Sequence, residues 1–291
     1  MDGIIIVNKE QGYTSNDVVQ IIKKIFQEKV GHTGTLDPMA TGVLPILVGK
    51  GTQLSKYLIN HDKIYTATVK LGIKTDTGDI TGKVIEEKEV NYDCYNEDSI
   101  LKALENIKGK QKQIPPMYSA IKLNGKKLYE YARKGLEVKI EPRTIEIYNT
   151  ELINIRKEEN EIKFRVSCSK GTYIRTLCET LAENLGTIGT MRALNREKVG
   201  EFEIEKSIRI DDIRKKINDK NYIKLHFITI EEFFKDKEEI LLSPRSFVAF
   251  INGVKLLDDN KDGEYRIYDA NKKFIGIGTV NNGILKRDIV I

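Results

Sequence analysis

The chemistry open to a single carboxylate is the first question this sequence raises. The stretch GHTGTLDPMATGVLPI, residues 31–46, carries Asp37 and His32 but no Lys or Glu, in a chain whose charged residues make up 31%. Pro38 disfavours the helical region for the residue before it, so Asp37 is held extended in a loop. Gly31 and Gly34 permit unusual torsions or the close approach of a ligand. On spacing alone, an ordinary Asp-Pro turn is the favoured reading of the stretch. A hydrolytic glycosidase would need a second carboxylate at a defined separation; none lies near in sequence, though folding could supply one.

Other chemistries fail on spacing. GVLPILVGKGT lacks the order of a phosphate-binding P-loop, and no Gly-x-Gly-x-x-Gly follows a strand. Asp76–Gly78 has the Asp-Thr-Gly order of aspartic proteases, but those need two such aspartates and a turn is the simpler reading. Cys94, Cys168 and Cys178 form no Cys-x-x-Cys pair, and His32, His61 and His226 are dispersed, so neither a metal site nor a disulfide framework is expected.

The elements that must position Asp37 are legible around it. GIIIV reads as a short buried strand. SNDVVQIIKKIFQEK reads as a helix, with Ser15 as N-cap and Val18, Ile21, Ile22, Ile25 and Phe26 at helical spacing. LPILV reads as a strand and TQLSKYLIN as a short helix. In KIYTATVKLG, Tyr65, Ala67, Val69 and Leu71 alternate onto one strand face. A turn-rich segment leads to another strand, and Asn96 opens a helix. Ile162, Phe164, Val166 and Cys168 alternate as a strand, Lys170 and Gly171 turn the chain, and Tyr173, Leu177, Leu181 and Leu185 recur at helical spacing before a C-cap at Gly186. Tyr173 and Arg175 therefore fall at a strand-to-helix junction.

The 291 residues suffice for a large domain plus a small one, and 40% hydrophobic residues supply a core. The net charge of +5 is compatible with a polyanionic partner. The N-terminal apolar run is too short for a signal peptide and no stretch approaches spanning length, so the expectation is a cytosolic protein with no membrane partner. After about residue 228 the texture changes. TIEEFFKDKEE reads as a short helical linker; LLSPRSFVAFINGVKLL and the segments after it read as short strands separated by Asn-Gly and Asp-Gly turns, forming a separate small β-barrel.

GHTGTLDPMATGVLPI closely resembles the signature of the TruB-type tRNA pseudouridine-55 synthases. VNKEQGYTSNDVV, KIYTATVKLGIKTDTGD, IPPMYSAIKLNGKKLYEYARKG, CSKGTYIRTL and MRALNREKVGEF resemble further blocks of that family, in its order and approximate spacing. The resemblance implies an α/β (α+β) catalytic domain on a mixed, largely antiparallel sheet over residues 1–228, with an RNA-clasping insertion at about 117–143. Residues 229–291 would form a linker helix and a PUA-like RNA-binding β-barrel.

The activity implied is isomerisation of one uridine in the TψC arm of tRNA: C1′–N1 is broken, the uracil turns, and C1′ joins C5. The target must leave the base stack, which costs a few kcal/mol. The resemblance casts Asp37, Tyr65 and Arg175 as catalytic, and neither cofactor nor metal is implied. Asp37 would attack C1′ or abstract the 2′ proton through a glycal; both routes need an ionised, positioned carboxylate. Arg175 would pair with Asp37 and keep it ionised despite burial. Tyr65 would stack on the base and take the C5 proton. Tyr173 and Leu194 would line the pocket, and His32 would occupy the space vacated by the flipped nucleotide.

Lys122, Lys126, Lys127, Arg133 and Lys134, interleaved with Tyr118, Tyr129 and Tyr131, fit an RNA clasp; a solvated basic helix is the plainer alternative. The expected partner is the TψC stem-loop of tRNA, bound by a monomer with no guide RNA. The rival readings are an RNA-guided pseudouridine synthase and a non-catalytic RNA-binding protein on the same scaffold.

Overall fold

Two kinds of strand are written in this chain, and the difference reports how many faces of each are covered. A strand buried on both faces reads as a continuous apolar run, whereas one with a wet face alternates. The computed structural model describes residues 1–91, 96–136, 138–216 and 219–291; Cys94 lies outside the described residues.

The chain opens with β1 (Gly3–Lys9), α1 (Ser15–Phe26), β2 (Val30–His32), β3 (Thr41–Val48), α2 (Ser55–Leu58) and β4 (Lys63–Leu71). The hairpin β5 (Ile73–Thr75) and β6 (Val84–Glu87) precedes α3 (Glu97–Asn106) and β7 (Gly109–Gln113). An irregular segment holds β8 (Lys122–Leu123), β9 (Lys126–Lys127) and α4 (Leu128–Ala132). Next come β10 (Arg143–Arg156), β11 (Glu161–Cys168), α5 (Ile174–Asn184) and β12 (Gly189–Val199). The short elements β13 (Phe202–Glu203), β14 (Ile208–Arg209), α6 (Ile210–Lys216), α7 (Lys220–Leu225), β15 (Phe227–Thr229) and α8 (Ile230–Phe233) lead to the C-terminal part. That part comprises β16 (Glu239–Leu241), α9 (Pro244–Ile251), β17 (Leu256–Leu257), β18 (Gly263–Tyr268), β19 (Phe274–Asn281) and β20 (Ile284–Val290).

The large sheet runs β14-β1-β3-β12-β4-β11-β10-β7, with β2, β13 and β15 on side branches. Among the described residues of this sheet, only β1–β14 and β3–β12 pair in parallel, so the sheet is mixed and largely antiparallel. The main core packs Val18, Val19 and Ile22 of α1, Ile100 and Leu104 of α3 and Leu177 and Leu181 of α5 onto one sheet face. On the other face, Ile4 and Ile6 of β1 and Val43 and Leu47 of β3 meet Ile230, Ile277 and Ile289 of the C-terminal third. Hence β1 and β3 carry continuous apolar runs, Ile4–Val7 and Val43–Val48, while β4 alternates buried and half-buried residues along its length.

The C-terminal sheet follows the open path β16-β18-β19-β20-β17, a curled five-stranded half-barrel. Two local expectations are corrected. The segment containing Pro244–Ile251 is a helix rather than a strand: the Ser243 hydroxyl accepts from Ser246 N at 3.2 Å, and Pro244 occupies the first turn, where its missing N–H is no loss. The N-cap of α1 is Thr14, not Ser15. Thr14 Oγ1 accepts from Asp17 N at 3.0 Å while Asp17 accepts from Thr14 N at 2.8 Å, a reciprocal capping box. Ser15 is buried instead. Its Oγ accepts from Leu36 N at 2.9 Å and donates to Leu36 O at 3.1 Å, fastening α1 to the residue beside Asp37.

The two halves of the large sheet meet at β3–β12, which pair only at Thr41–Asn195 and Gly42–Arg196. Gly42 has φ +106°, and a Cβ there would stand 2.2 Å from the Arg196 carbonyl oxygen. Gly42→Ala is expected to destabilise the fold by about 3 kcal/mol through backbone strain and overpacking, read as a lowered denaturation midpoint. A midpoint matching the parent would mean that this junction yields freely.

Candidate active site

Asp37 stands in the loop between β2 and β3, and three anchors hold that loop. Ser15 grips Leu36 as described. The buried Lys9 ammonium at the end of β1 donates to Tyr13 O at 2.7 Å, Glu10 O at 3.0 Å and Pro38 O at 3.3 Å. Gly12 N donates to Pro38 O at 2.8 Å, and Ala40 N to Asp37 O at 3.0 Å. Asp37 therefore has a fixed backbone and a side chain that is 31% exposed.

Arg175, at the second position of α5, supplies the counter-charge. Its side chain is 5% exposed; Nε meets Asp37 Oδ2 at 3.0 Å and Nη2 meets Oδ1 at 3.3 Å. A side-on guanidinium–carboxylate pair of this kind fixes orientation as well as charge. The other donors reach Thr77 O at 3.0 Å (Nη1) and Tyr118 O at 2.9 Å (Nη2). One guanidinium thus joins the Asp37 loop, the turn after β5 and the root of the insertion. Burial pushes the Asp37 carboxyl above the usual aspartate value, Arg175 and Lys9 pull it back down, and Asp79 adds to the rise.

Asp79 is the second carboxylate that folding could supply. It is committed to its own turn: Oδ1 accepts from Thr81 N at 3.0 Å, Thr81 Oγ1 at 2.5 Å and Thr77 Oγ1 at 3.2 Å. The Asp-Thr-Gly segment is a turn, and it presents the Thr77 carbonyl to Arg175.

Tyr65 is 7% exposed and faces inward from β4, with Arg196 of β12 opposite it and the Asp37 charge in its surroundings. Burial pushes its phenol above the ordinary value, and Arg196 opposes the rise. Tyr173 ends the loop before α5; its backbone is clamped by the buried Gln113 side chain, Tyr173 N to Oε1 at 2.8 Å and Nε2 to Tyr173 O at 3.0 Å. Its phenol lies near Ser119 and within the fields of Arg175 and Asp37. Leu194, 8% exposed on β12, lines a cavity of about 520 Å³ with Met39, Thr41, Thr66, Lys163 and Asn195.

Asp37, Arg175, Tyr65 and Tyr173 thus form one cluster. His32 ends β2 and is half-buried, with Nδ1 unpartnered and its pKa lowered by burial and then by Arg196. Lys126 and Lys127 stand on the β8–β9 hairpin and make no hydrogen bond to the cluster; Lys126 is exposed. Tyr129 has Lys127 Nζ at 5.4 Å and the Arg133 guanidinium at 5.2 Å from its ring centre.

Sequence reading missed Lys9, Gln113, Asp79 and Arg196. For Arg196 a signal existed: it lies two residues from Leu194 on the same strand and so shares its face. Gln113 and the carbonyls of Thr77 and Tyr118 carry no signal, since any sequence offers backbone oxygens. Among the described residues, no group of three or more His, Cys, Asp or Glu is placed to hold a metal ion, and no helix is long and apolar enough to cross a membrane.

Comparison with known proteins identifies the family. Residues 23–174 match the TruB family pseudouridylate synthase N-terminal domain, and residues 239–288 match the C-terminal region of pseudouridine synthase II TruB. A Clostridium tetani protein named tRNA pseudouridine synthase B is 45% identical over 285 residues, covering 96% of this chain and 95% of its own. The Clostridium kluyveri protein of the same name is 41% identical over 285 residues, with the same coverage of each chain. A chain in the crystal structure of a Cbf5–Nop10–Gar1 complex superposes with a TM-score of 0.67 at 26% identity, covering 96% of this chain and 78% of that one. On sequence, fold and the match across both ends of the chain, this protein belongs to the TruB family of pseudouridylate synthases.

Proposed function

We propose that this protein isomerises uridine 55 in the TψC arm of tRNA to pseudouridine, acting on a flipped-out nucleotide. The observation that carries the reading is the Asp37–Arg175 pair: a positioned carboxylate, partly open to solvent, whose counter-charge is buried. Asp37 acts on the ribose, either at C1′ as nucleophile or at the 2′ proton as base. Tyr65 stacks on the uracil, and its hydroxyl takes the C5 proton. Tyr173 and Leu194 wall the pocket, and His32 fills the space the nucleotide leaves. Lys126 and Lys127 grip phosphates from the insertion, which also supports a stand-alone enzyme over a guide-dependent one. We place the reaction in the cytoplasm, on a monomer.

The test uses the purified full chain and unmodified tRNA with no guide RNA, followed by chemical detection of pseudouridine. The parent is expected to convert the tRNA. Asp37→Asn should bind it comparably and convert none, because an amide is neither nucleophile nor base. Conversion by the variant within a few-fold of the parent would remove Asp37 from the chemistry.

The acid limb of the rate profile follows from the upward shift of Asp37. The reactive form is the carboxylate, so the rate falls as pH drops through the raised pKa, and the midpoint lies above the ordinary 3.8. Single-turnover rates across the acid range, with tRNA binding followed in parallel, check this; an acid midpoint at or below 3.8 would contradict the burial seen here.

Affinity for tRNA should fall steeply with salt, with a log–log slope of about −0.7 to −0.9 per neutralised phosphate. Replacing Lys126 and Lys127 by Ala should make that slope shallower by about 0.7 to 0.9 for each lysine that meets a phosphate. An unchanged slope would return both lysines to a merely solvated surface.

A further inference from the structure

Among the described residues, Arg196 and Lys9 are the two most deeply buried cations, with 1% and 0% of their surface exposed. A buried guanidinium is tolerated only where its donors are satisfied and its charge is compensated. Its donors are satisfied in a telling way. Nε donates to Val43 O at 2.8 Å and Nη2 to Gly34 O at 2.9 Å, the two ends of the loop that carries Asp37. Gly34 has φ +75°, and a side chain there would press on Nη1 at 3.3 Å. The Arg196 backbone fills the space over Gly42. Both glycines bracketing Asp37 thus accommodate this one residue.

Its charge, by contrast, has no carboxylate partner among the described residues. The group that favours its charged form is Tyr65, its cross-strand partner directly opposite on β4. The other titratable groups facing Tyr65 are Cys168 from β11 and Asp37 from the loop. Lys9, His32 and Lys63 lie in the field of Arg196, and all three are held toward their neutral forms by burial first and then by that field. A phenolate at Tyr65 would supply the anion that Arg196 lacks.

We propose that Arg196 is a positioning residue for the last step of the reaction: it locks the Tyr65 oxygen in register with Asp37 and stabilises the Tyr65 phenolate that removes the C5 proton. The inference rests on the proposed role of Tyr65. In this step the phenolate oxygen forms a bond to the proton leaving C5. The C5–H pair becomes the C5=C6 bond, the C6=N1 pair moves to N1, and N1 takes a proton from water. Tyr65 then returns its proton to solvent beside the guanidinium. Without Arg196, the phenol would be a buried hydroxyl with only Cys168 and Asp37 nearby, both of which oppose its ionisation.

The experiment compares the parent, Arg196→Met, Arg196→Lys and Tyr65→Phe as full chains, on unmodified tRNA and on tRNA carrying uridine deuterated at C5. Thermal unfolding and tRNA binding are measured beside single-turnover conversion. Arg196→Met is expected to bind tRNA but convert it at least ~100-fold more slowly, the scale of losing a tuned acid–base group. Its rate should climb with pH through the alkaline range where the parent is level, and a deuterium isotope effect at C5 should emerge or grow. Arg196→Lys keeps the cation, so it should recover part of the rate and most of the level profile; should the Met variant fail to fold, the C5 isotope effect of Arg196→Lys decides, with a value above the parent's expected and a value equal to the parent's in a slowed Lys variant overturning the proposal. A slowed variant with the parent's pH profile and isotope effect would overturn the proposal and leave Arg196 as a loop strut. Near-normal conversion by Tyr65→Phe would instead reject the reading of Tyr65 itself, whatever Arg196 does.

Discussion

The Asp37–Arg175 pair is the contact on which the site depends, because it joins three segments that are remote in sequence. Arg175 gives two donors to the carboxylate, one to the turn at Thr77 and one to the insertion root at Tyr118. Loss of either partner would leave a desolvated charge, which costs far more than the net worth of the pair. The arrangement is therefore stable as a unit and fragile in its parts.

Three buried cations surround this single carboxylate: Arg175 pairs with it, Lys9 braces its loop and Arg196 closes the loop ends. Lys9 and Arg196 are solvated by backbone carbonyls rather than by carboxylates. Carbonyl oxygens satisfy donors without neutralising the charge, so the pocket keeps a positive field. Burial pulls the Lys9 pKa down to about 8 against the attraction of Asp37. Such a field suits a substrate that brings phosphates and passes through anionic states of its base.

The same logic explains the architecture. The large sheet is nearly cut where β3 and β12 share only two residue pairs, and the Asp37 loop lies at that cut. Regular pairing would have filled the position with ladder hydrogen bonds. The opening leaves room for side chains from both halves: Asp37 from one, and Tyr65, Arg175 and Arg196 from the other. The insertion is tied to the same place through Tyr118, and Ser119 O accepts from Tyr129 N at 3.1 Å. The β8–β9 hairpin is thus mechanically close to the carboxylate.

By itself the sequence determined the periodic elements and, through its motifs, the family. The alternation of Tyr65, Ala67, Val69 and Leu71 had to be a strand with one dry face, and the spacing from Tyr173 to Leu185 had to be a helix, since those periods are properties of the backbone. Asp37 stood out in its neutral loop before Pro38, but an Asp-Pro turn explained it until the family resemblance singled it out. Local hydrogen bonding was harder to read. Thr14 and Ser15 both suit an N-cap, and the tertiary partner Leu36 decided between them. Ser243–Pro244 marked a helix that a strand-like neighbourhood obscured. Only the tertiary structure decided what surrounds Asp37. The Thr77 and Tyr118 carbonyls, the Gln113 clamp and the Arg196 brace use backbone atoms or long-range partners, and a polar contact between distant strands leaves no periodic trace in the chain. That Asp79 is spent within its own turn while Asp37 pairs with Arg175 and stays partly open to solvent is likewise a matter of which donors the fold brings to each carboxylate.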